Sequence, residues 1–350
     1  MGSNSKISIV VPNYNKGTLV KDCLESVKNQ TFQDWELIFF DDNSTDKSLD
    51  HAKKIAQKDA RFKVFLNQTK IKGANSCRNQ GISSASAPYI VFLDSDDLMV
   101  KDCLEEKWQD LQAMNHQSIL VHQTGLFYDQ LHDSNLICNV ENDEHHLDRF
   151  LARDLVWLIS GPIWPKEVLK VLNGFNLNLK SHQEYDLHVR ALIHGYEFDL
   201  LEKEPKVFYR QNVESESRKN SQSPEHLKAR VEMTFNHLAL LKEYGLANPK
   251  RNELIARYLL DICQMMRWHK NSLGKSALEY ALTVWDQVFR ESIISQRVYS
   301  TGRSYIKFKH QMLFNRVPLL QKKLDAIYKK LLEGYIHIPS KTFCKTKHTP

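Results

Sequence analysis

The sequence predicts an α/β region built on a mostly parallel sheet flanked by helices, followed by an α-helical C-terminal extension. Three observations carry this expectation. Strand-like runs rich in β-branched and aromatic residues alternate with helical-period segments through the first hundred positions, the pattern of a parallel sheet with helices on both faces. Two of these runs end in clustered carboxylates. Beyond Pro224 the apolar spacing is helical throughout. The expected division is residues 1–217 for the α/β region and 218–350 for the extension with its basic tail.

Ile7-Ser8-Ile9-Val10-Val11 is a buried strand ending at Pro12. Leu19, Cys23, Leu24 and Val27 then mark a helix over Thr18 to Asn29. Glu36 to Phe40 is a second strand, delivered into the turn and cap residues Asp41-Asp42-Asn43-Ser44-Thr45-Asp46. A helix from Lys47 to Gln57, a strand over Phe62 to Leu66 and a helix opened by Gly73 follow. Tyr89-Ile90-Val91-Phe92-Leu93 runs into Asp94-Ser95-Asp96-Asp97, with Asp97 expected to cap a helix beginning near Val100.

Later elements are less regular: a strand-like Leu155–Ile159, a turn at Gly161-Pro162, and a helix starting near Pro165. A helix from Glu184 to His194 and strand-like pieces at Tyr196–Leu200 and Pro205–Tyr209 complete the region. Asn212 to Pro224 is polar and reads as a linker. Leu227, Val231, Phe235, Leu238 and Leu241 then form one helical stripe closed by Gly245. Residues 252–268 and 273–290 are two further helices.

Hydrophobic content of 42% and charged content of 26% in 350 residues are those of an ordinary globular chain, long enough for two domains. No apolar run reaches the ~18–20 residues that span a bilayer, and Met1 to Lys6 has no secretory character. Six cysteines, Cys23, Cys77, Cys103, Cys138, Cys263 and Cys344, are scattered without a C-x-x-C pair. That spacing argues against zinc and disulfides and for a reducing, cytoplasmic compartment. The net charge of +6 is uneven, because residues 301–350 hold eleven Lys/Arg against Asp325 and Glu333.

Carboxylates as close as Asp41-Asp42 and Asp94-Ser95-Asp96-Asp97 repel one another and need a counter-charge. Mg²⁺ or Mn²⁺ on diphosphate oxygens would supply it, using one or two protein carboxylates. The plainer reading makes each cluster a set of solvated turn residues. Their position at strand ends, where ligands of such sheets bind, favours the functional one.

Val10-Val11-Pro12-Asn13-Tyr14-Asn15, Gln30-Thr31-Phe32, Asp41-Asp42-Asn43-Ser44-Thr45-Asp46, Gly73, Arg78-Asn79 and Leu93-Asp94-Ser95-Asp96-Asp97 occur in this order. In order and spacing they resemble the motifs of the family 2 glycosyltransferases of GT-A fold, a Rossmann-like architecture, over residues 6 to about 217. The resemblance implies an inverting enzyme that takes a nucleotide-activated sugar, UDP-linked by expectation, to a glycan or lipid-linked acceptor with a divalent cation, Mn²⁺ or Mg²⁺. It places the nucleotide on Pro12, Tyr14, Asn15 and Asp42, with Asp42 accepting from a ring N–H. Arg78 would approach the base or diphosphate. Asp94 would face the ribose and share the metal with Asp96, the more direct ligand.

On the acceptor side, Gly161-Pro162-Ile163-Trp164, Gly174-Phe175 and Gln183-Glu184-Tyr185-Asp186 resemble the family segment that ends in its catalytic base. Glu184 stands at that position, where aspartate is commoner, and Asp186 is the rival. Relatives often have histidine where Asn212 stands, which leaves metal binding to Asp94 and Asp96. His145, His146, His182, His188 and His194 have no motif partner and read as surface or helix residues.

Two other functions compete with this one. A sugar-1-phosphate nucleotidyltransferase should carry a Gly-rich loop after the first strand, and Pro12-Asn13-Tyr14-Asn15-Lys16-Gly17 lacks the glycines. An inactive nucleotide- or partner-binding module is disfavoured by Asp94, Asp96 and Glu184. In the tail, residues 315–333 align Leu319, Leu320, Leu324, Ile327, Tyr328, Leu331 and Leu332 opposite Lys322, Lys323, Lys329 and Lys330. That helix could lie on the inner face of a membrane or pack on the extension, and packing is the favoured reading. No recognition motif accompanies the charge, so nucleic-acid binding is not expected.

Overall fold

The computed structural model describes residues 5–114, 118–138, 141–154, 156–211, 223–266, 276–312, 326–328, 330, 332 and 345–346. The chain forms two compact units. One contains Met1–Asp143, Leu155–Val213 and Thr342–Pro350; the other contains Glu144–Asp154 and Glu214–Lys341.

The first unit follows the alternation written in its sequence. Strand β1 (Ile7–Asn13) leads to helix α1 (Leu19–Lys28), β2 (Trp35–Asp41), α2 (Ser48–Ala56), β3 (Phe62–Leu66), α3 (Ala74–Ser84) and β4 (Tyr89–Phe92). Both β1 and β2 are buried along their whole length. That is why they read as continuous apolar runs: helices cover both faces. Glu36 is the exception inside β2. Its carboxylate accepts from Ser8 Oγ at 2.6 Å, Ser86 N at 2.6 Å and Lys63 Nζ at 2.5 Å. Burial opposes its charge, but Lys63 and the serine donors outweigh it and pull the pKa down to about 2.

After β4 the chain departs from simple alternation. Short strands β5 (Leu98–Met99), β6 (Ile119–His122), β7 (Thr124–Phe127) and β8 (Leu136–Cys138) surround helix α4 (Cys103–Ala113). Helix α5 (His146–Leu151) belongs to the other unit. Then come β9 (Pro162–Pro165), α6 (Lys166–Val171), α7 (Gln183–Ile193), β10 (Phe198–Leu201) and β11 (Val207–Arg210). The main sheet has seven strands in the order β10-β6-β9-β4-β1-β2-β3. All its pairings are parallel except those of β9, which runs antiparallel between β4 and β6. From β1 the chain steps outward to β2 and β3, then returns to the opposite side as β4. The strand order therefore reverses between β1 and β4, which opens a crevice at their carboxyl ends.

Three local expectations are corrected. Residues 156–159 form no strand; Trp157 is instead buried and stacks on Phe198 at 4.8 Å, so a buried loop produced the apolar run. Pro162, read as part of a turn, instead opens β9, with prolines tolerated at the two ends of that short strand, and the helix expected near Pro165 follows as α6 at Lys166. Asp97 caps no helix: β5 intervenes, and α4 begins at Cys103 with Asp102 at its N-cap position. A second sheet, β12-β8-β7-β11-β5, was not foreseen; its last strand is β12 (Lys345–Thr346). Its strands are two to four residues long, too short for a period-2 pattern to stand out.

The second unit is helical: α8 (Pro224–Glu243), α9 (Pro249–Met265), α10 (Ser276–Arg290) and α11 (Gln296–Met312), together with α5. Ser223 and Asn248 cap α8 and α9 by accepting from His226 N and Arg251 N, and each is followed by proline at the first helical position. Gly245 turns left-handed just past α8, at φ +66°. Asp148 of α5 accepts from Arg251 Nε at 2.7 Å and lies 3.0 Å from Lys250 Nζ. Among the described residues no helix is long and apolar enough to cross a membrane. Most of 315–333, with Asn212 and Cys344, lies outside the described residues. Of the tail residues described, Tyr328 stacks on Phe308 at 5.4 Å and Leu332 is buried.

Gly81 of α3 faces β1, where an added Cβ would stand 2.3 Å from Val10 Cγ1. Glycine to alanine inside a helix ordinarily gains about 1 kcal/mol. Overpacking, which costs about 1–3 kcal/mol, opposes that here. Gly81→Ala should lower the melting temperature, and adding Val10→Ala should recover much of it. A single variant that melts higher than the parent would refute the close packing.

Candidate active site

The crevice between β1 and β4 is walled first by the loops after β1 and β2. Past Pro12 and Asn13 the backbone turns left-handed at Asn15 (φ +47°) and Gly17 (φ +56°), leaving Tyr14 41% exposed at the strand end. Asn15 N donates to Ser44 Oγ at 2.9 Å, and Asn15 Oδ1 accepts from Thr45 N at 2.8 Å. Asp41 is fully buried and accepts from Asn13 Nδ2 (2.8 Å), Ser44 N (2.7 Å) and Ser44 Oγ (2.7 Å). Asp42 accepts from Asn67 Nδ2 and from Gly73 N, each at 2.7 Å. The expectation that this pair calls for a cation is therefore corrected. Neutral donors satisfy both carboxylates, and Asp41 ties two loops together.

The carboxylates after β4 are compensated by cations of the chain. Arg78, on α3, is buried with its guanidinium over Phe175; its Nη2 donates to Asp94 Oδ1 at 2.6 Å. Its Nη1 donates to Gln183 Oε1 at 2.8 Å, at the start of α7. Lys16, from the loop after β1, donates to Asp96 Oδ2 at 2.5 Å. Burial works against the Lys16 charge, but Asp96, Asp94 and Asp97 outweigh it and hold its pKa above the ordinary value. Asp97 is buried and accepts from Arg210 N at 2.9 Å. Burial, with Asp96 and Asp94 beside it, pushes its carboxyl well above the usual range. Asp94 and Asp96 thus offer hard oxygen donors at a point that already attracts positive charge, a set that fits Mg²⁺ or Mn²⁺.

The helix α7 starts at His182, whose left-handed backbone (φ +62°) turns the chain so that Gln183 and Glu184 lead the first turn. Glu184 Oε2 accepts from Ile159 N at 2.8 Å. Burial raises its carboxyl to about 7, with Asp94 adding to the rise and Arg78 opposing it. Asp186 faces elsewhere in chemistry: it is 2% exposed and accepts from Arg190 Nε at 2.8 Å. That same guanidinium donates to Leu172 O and Gly174 O, which locks the pair into the packing of α7.

Arg78, Asp94, Asp96 and Glu184 therefore come together in one crevice, while Asp42 sits in a neighbouring hydrogen-bond network. Lys16 and Tyr209 were missed. Tyr209, on β11, has its phenol pKa raised by burial and by Asp97, Asp94, Glu184 and Asp96, so it stands among the carboxylates. A lysine in a loop and a tyrosine on a four-residue strand carry no signal in sequence. His188 lies on α7, within the reading of the histidines as surface or helix residues. It is fully buried, its ring parallel to Trp164 at 5.8 Å, and burial holds its pKa down to about 3. A further group, Glu106, Asp110 and His122, brings its ligand atoms within 4.8 Å of one another. Lys203, 2.6 Å from Asp110, already supplies a counter-charge there.

Residues 8–162 match the family model described as glycosyl transferase family 2. The chain is 36% identical over 104 residues to the GalNAc(5)-diNAcBac-PP-undecaprenol beta-1,3-glucosyltransferase of Campylobacter jejuni, covering 30% of this chain and 34% of that one. It is 38% identical over 116 residues to the poly(ribitol-phosphate) beta-glucosyltransferase of Bacillus spizizenii, covering 33% and 18%. The chain thus spans about a third or less of the length of these relatives. Among solved structures it is similar to S. aureus TarS 1-349 in complex with UDP-GlcNAc, with TM-score 0.65, 18% identity and coverage of 94% of this chain and 91% of that one. At that identity the likeness speaks for the GT-A fold.

Glu184 gives a stability test independent of catalysis. Its folded pKa of about 7 lies above the ordinary 4.5, so the folded state holds the proton more tightly. Stability from this group is complete below pH 4.5 and is lost as pH rises through about 7. Above that, the ionised carboxylate costs roughly 1–3 kcal/mol. Glu184→Gln should therefore melt higher than the parent at pH 8, the gap closing toward pH 4.5. Scanning fluorimetry across this range checks it, and superimposable melting curves at pH 8 would refute the raised pKa.

Proposed function

We propose, from the premise that residues 8–162 form a glycosyl transferase family 2 segment, that this chain is an inverting glycosyltransferase using a nucleotide-diphosphate sugar. The observation that carries the reading is the Arg78 fork, which joins the Asp94 carboxylate to Gln183, the residue beside Glu184. Donor-side and acceptor-side groups thereby face one crevice at the reversal of strand order. A UDP-sugar is the donor class, supported by the UDP-GlcNAc bound to the TarS neighbour. The acceptor is a hydroxyl of a glycan or lipid-linked glycan, supported by the undecaprenol-linked and poly(ribitol-phosphate) acceptors in the relatives' names. The five described cysteines are free and buried, which suits a reducing, cytoplasmic setting beside such an acceptor.

Glu184 is the base. With a pKa near neutrality it takes the proton as the acceptor oxygen attacks the anomeric carbon from the side opposite the nucleotide. The new C–O bond forms as the bond to the diphosphate oxygen breaks, and one displacement inverts the centre. Ile159 N holds one Glu184 oxygen, which orients the other for the acceptor. Tyr14, Asn15 and Asp42 line the nucleotide end, with the exposed Tyr14 ring offering a stacking face. Asp94 and Asp96 would hold Mg²⁺ or Mn²⁺, which when bound neutralises charge on the departing diphosphate. Asp186 is a structural partner of Arg190.

Calorimetry with UDP in Mn²⁺ and in EDTA tests the donor side. Binding should weaken in EDTA, and Asp96→Ala should lose the metal-dependent part; equal affinity in both buffers would overturn the cation assignment. Glu184→Gln should bind UDP as the parent does while transfer falls more than about tenfold, roughly 1.4 kcal/mol of barrier. A smaller loss, measured with a screened UDP-sugar donor, would move the base elsewhere.

A further inference from the structure

Asp94 and Asp96 are both paired to cations, but in different ways. Arg78 is buried, lies over Phe175 and is shared with Gln183, so its position is fixed from three sides. Lys16 has a side chain 34% exposed, reaching an Asp96 carboxylate that is only 13% exposed. The backbone beneath it is pinned: Lys16 N donates to Ser48 Oγ at 3.0 Å, and Gly17 N donates to Asp46 Oδ2 at 2.7 Å. A rigid backbone under a four-carbon stem lets the ammonium swing without any change in the loop. An ammonium 2.5 Å from Asp96 Oδ2 occupies the space a divalent cation on that oxygen would need. Two positive charges cannot share it, because at such separations their repulsion is several kcal/mol even at a high effective dielectric.

We propose that Lys16 is a resident counter-cation of Asp96, which a divalent cation must displace and whose freed ammonium then pairs with the donor diphosphate. The proposal rests on the assignment of Asp96 as a metal ligand. Metal alone meets a competitor and binds weakly. Metal with nucleotide gives the displaced charge a new anionic partner, so the two ligands bind cooperatively. The device also keeps Asp96 compensated in the free protein, where three carboxylates crowd one loop.

Electron paramagnetic resonance of free Mn²⁺, titrated with full-length protein, measures the competition without any turnover. Lys16→Met keeps the stem and removes the charge. Without nucleotide it should bind Mn²⁺ more tightly than the parent by about tenfold. Lys16→Arg keeps a cation and should stay within about threefold of the parent. With UDP present the advantage of Lys16→Met should shrink or reverse, since the diphosphate has lost its ammonium. Equal Mn²⁺ affinity in Lys16→Met and the parent would overturn the proposal, as would an advantage that UDP leaves untouched. Lys16→Gln repeats the comparison should Lys16→Met fold poorly. Asp96→Asn separates the two levels: if it leaves Mn²⁺ affinity intact, the metal assignment itself has failed. If it abolishes binding while Lys16→Met changes nothing, only the competition has failed.

Discussion

Arg78 donates from its two terminal nitrogens to carboxylate and amide groups on different elements, Asp94 after β4 and Gln183 at the head of α7. Much of the crevice depends on that fork. It neutralises one carboxylate of a crowded loop, and it holds the start of α7 against the end of β4. It also lowers the pKa of Glu184 against the combined effect of burial and Asp94. A planar, permanently charged guanidinium suits this role, because it meets two acceptors at once and keeps its charge when buried. Phe175 beneath it keeps the fork in one orientation.

The carboxylates around this crevice are compensated by three separate means, and the means sort their uses. Asp41 and Asp42 are satisfied by amide and hydroxyl donors, which shapes a rigid wall without fixed positive charge. Asp94 and Asp96 are satisfied by cations, so their surroundings favour positive charge and would receive a metal bearing diphosphate. Asp97 and Glu184 rely on single backbone donors: each accepts one backbone N–H, and burial lifts both pKa values. A carboxylate whose pKa lies near neutrality is the one best suited to exchange protons. Glu184 sits there; Asp186 is instead held in an ion pair with Arg190.

The helical unit is held by means of its own. Caps at Ser223 and Asn248 start two of its helices, and the Arg251–Asp148 pair binds α5 to α9. Residues 144–154 interrupt the α/β region in sequence yet pack with the helices, so the second unit is assembled from two separated stretches. The sequence boundary near 217 could not show this. A six-residue helix has too few turns for its periodicity to declare which core it joins.

What the sequence alone determined is the order of β1 to β4 with their intervening helices, and the carboxylates at the ends of β2 and β4. Strands β1 and β2 are buried along their whole length, so there composition and period speak directly to burial. Helices α8, α9 and α10 were legible from their apolar period, with proline and cap residues at the starts of the first two, whereas α11 was not singled out. Only tertiary structure decided the second sheet, the loop at 156–159 and the antiparallel β9, because their apolar residues answer to distant partners rather than to a local repeat. It also decided which charges meet. Lys16 and Asp96 lie eighty positions apart, and Arg78 and Gln183 more than a hundred. No local spacing encodes such pairs; they exist because parallel strands carry separate loops to the same edge of one sheet.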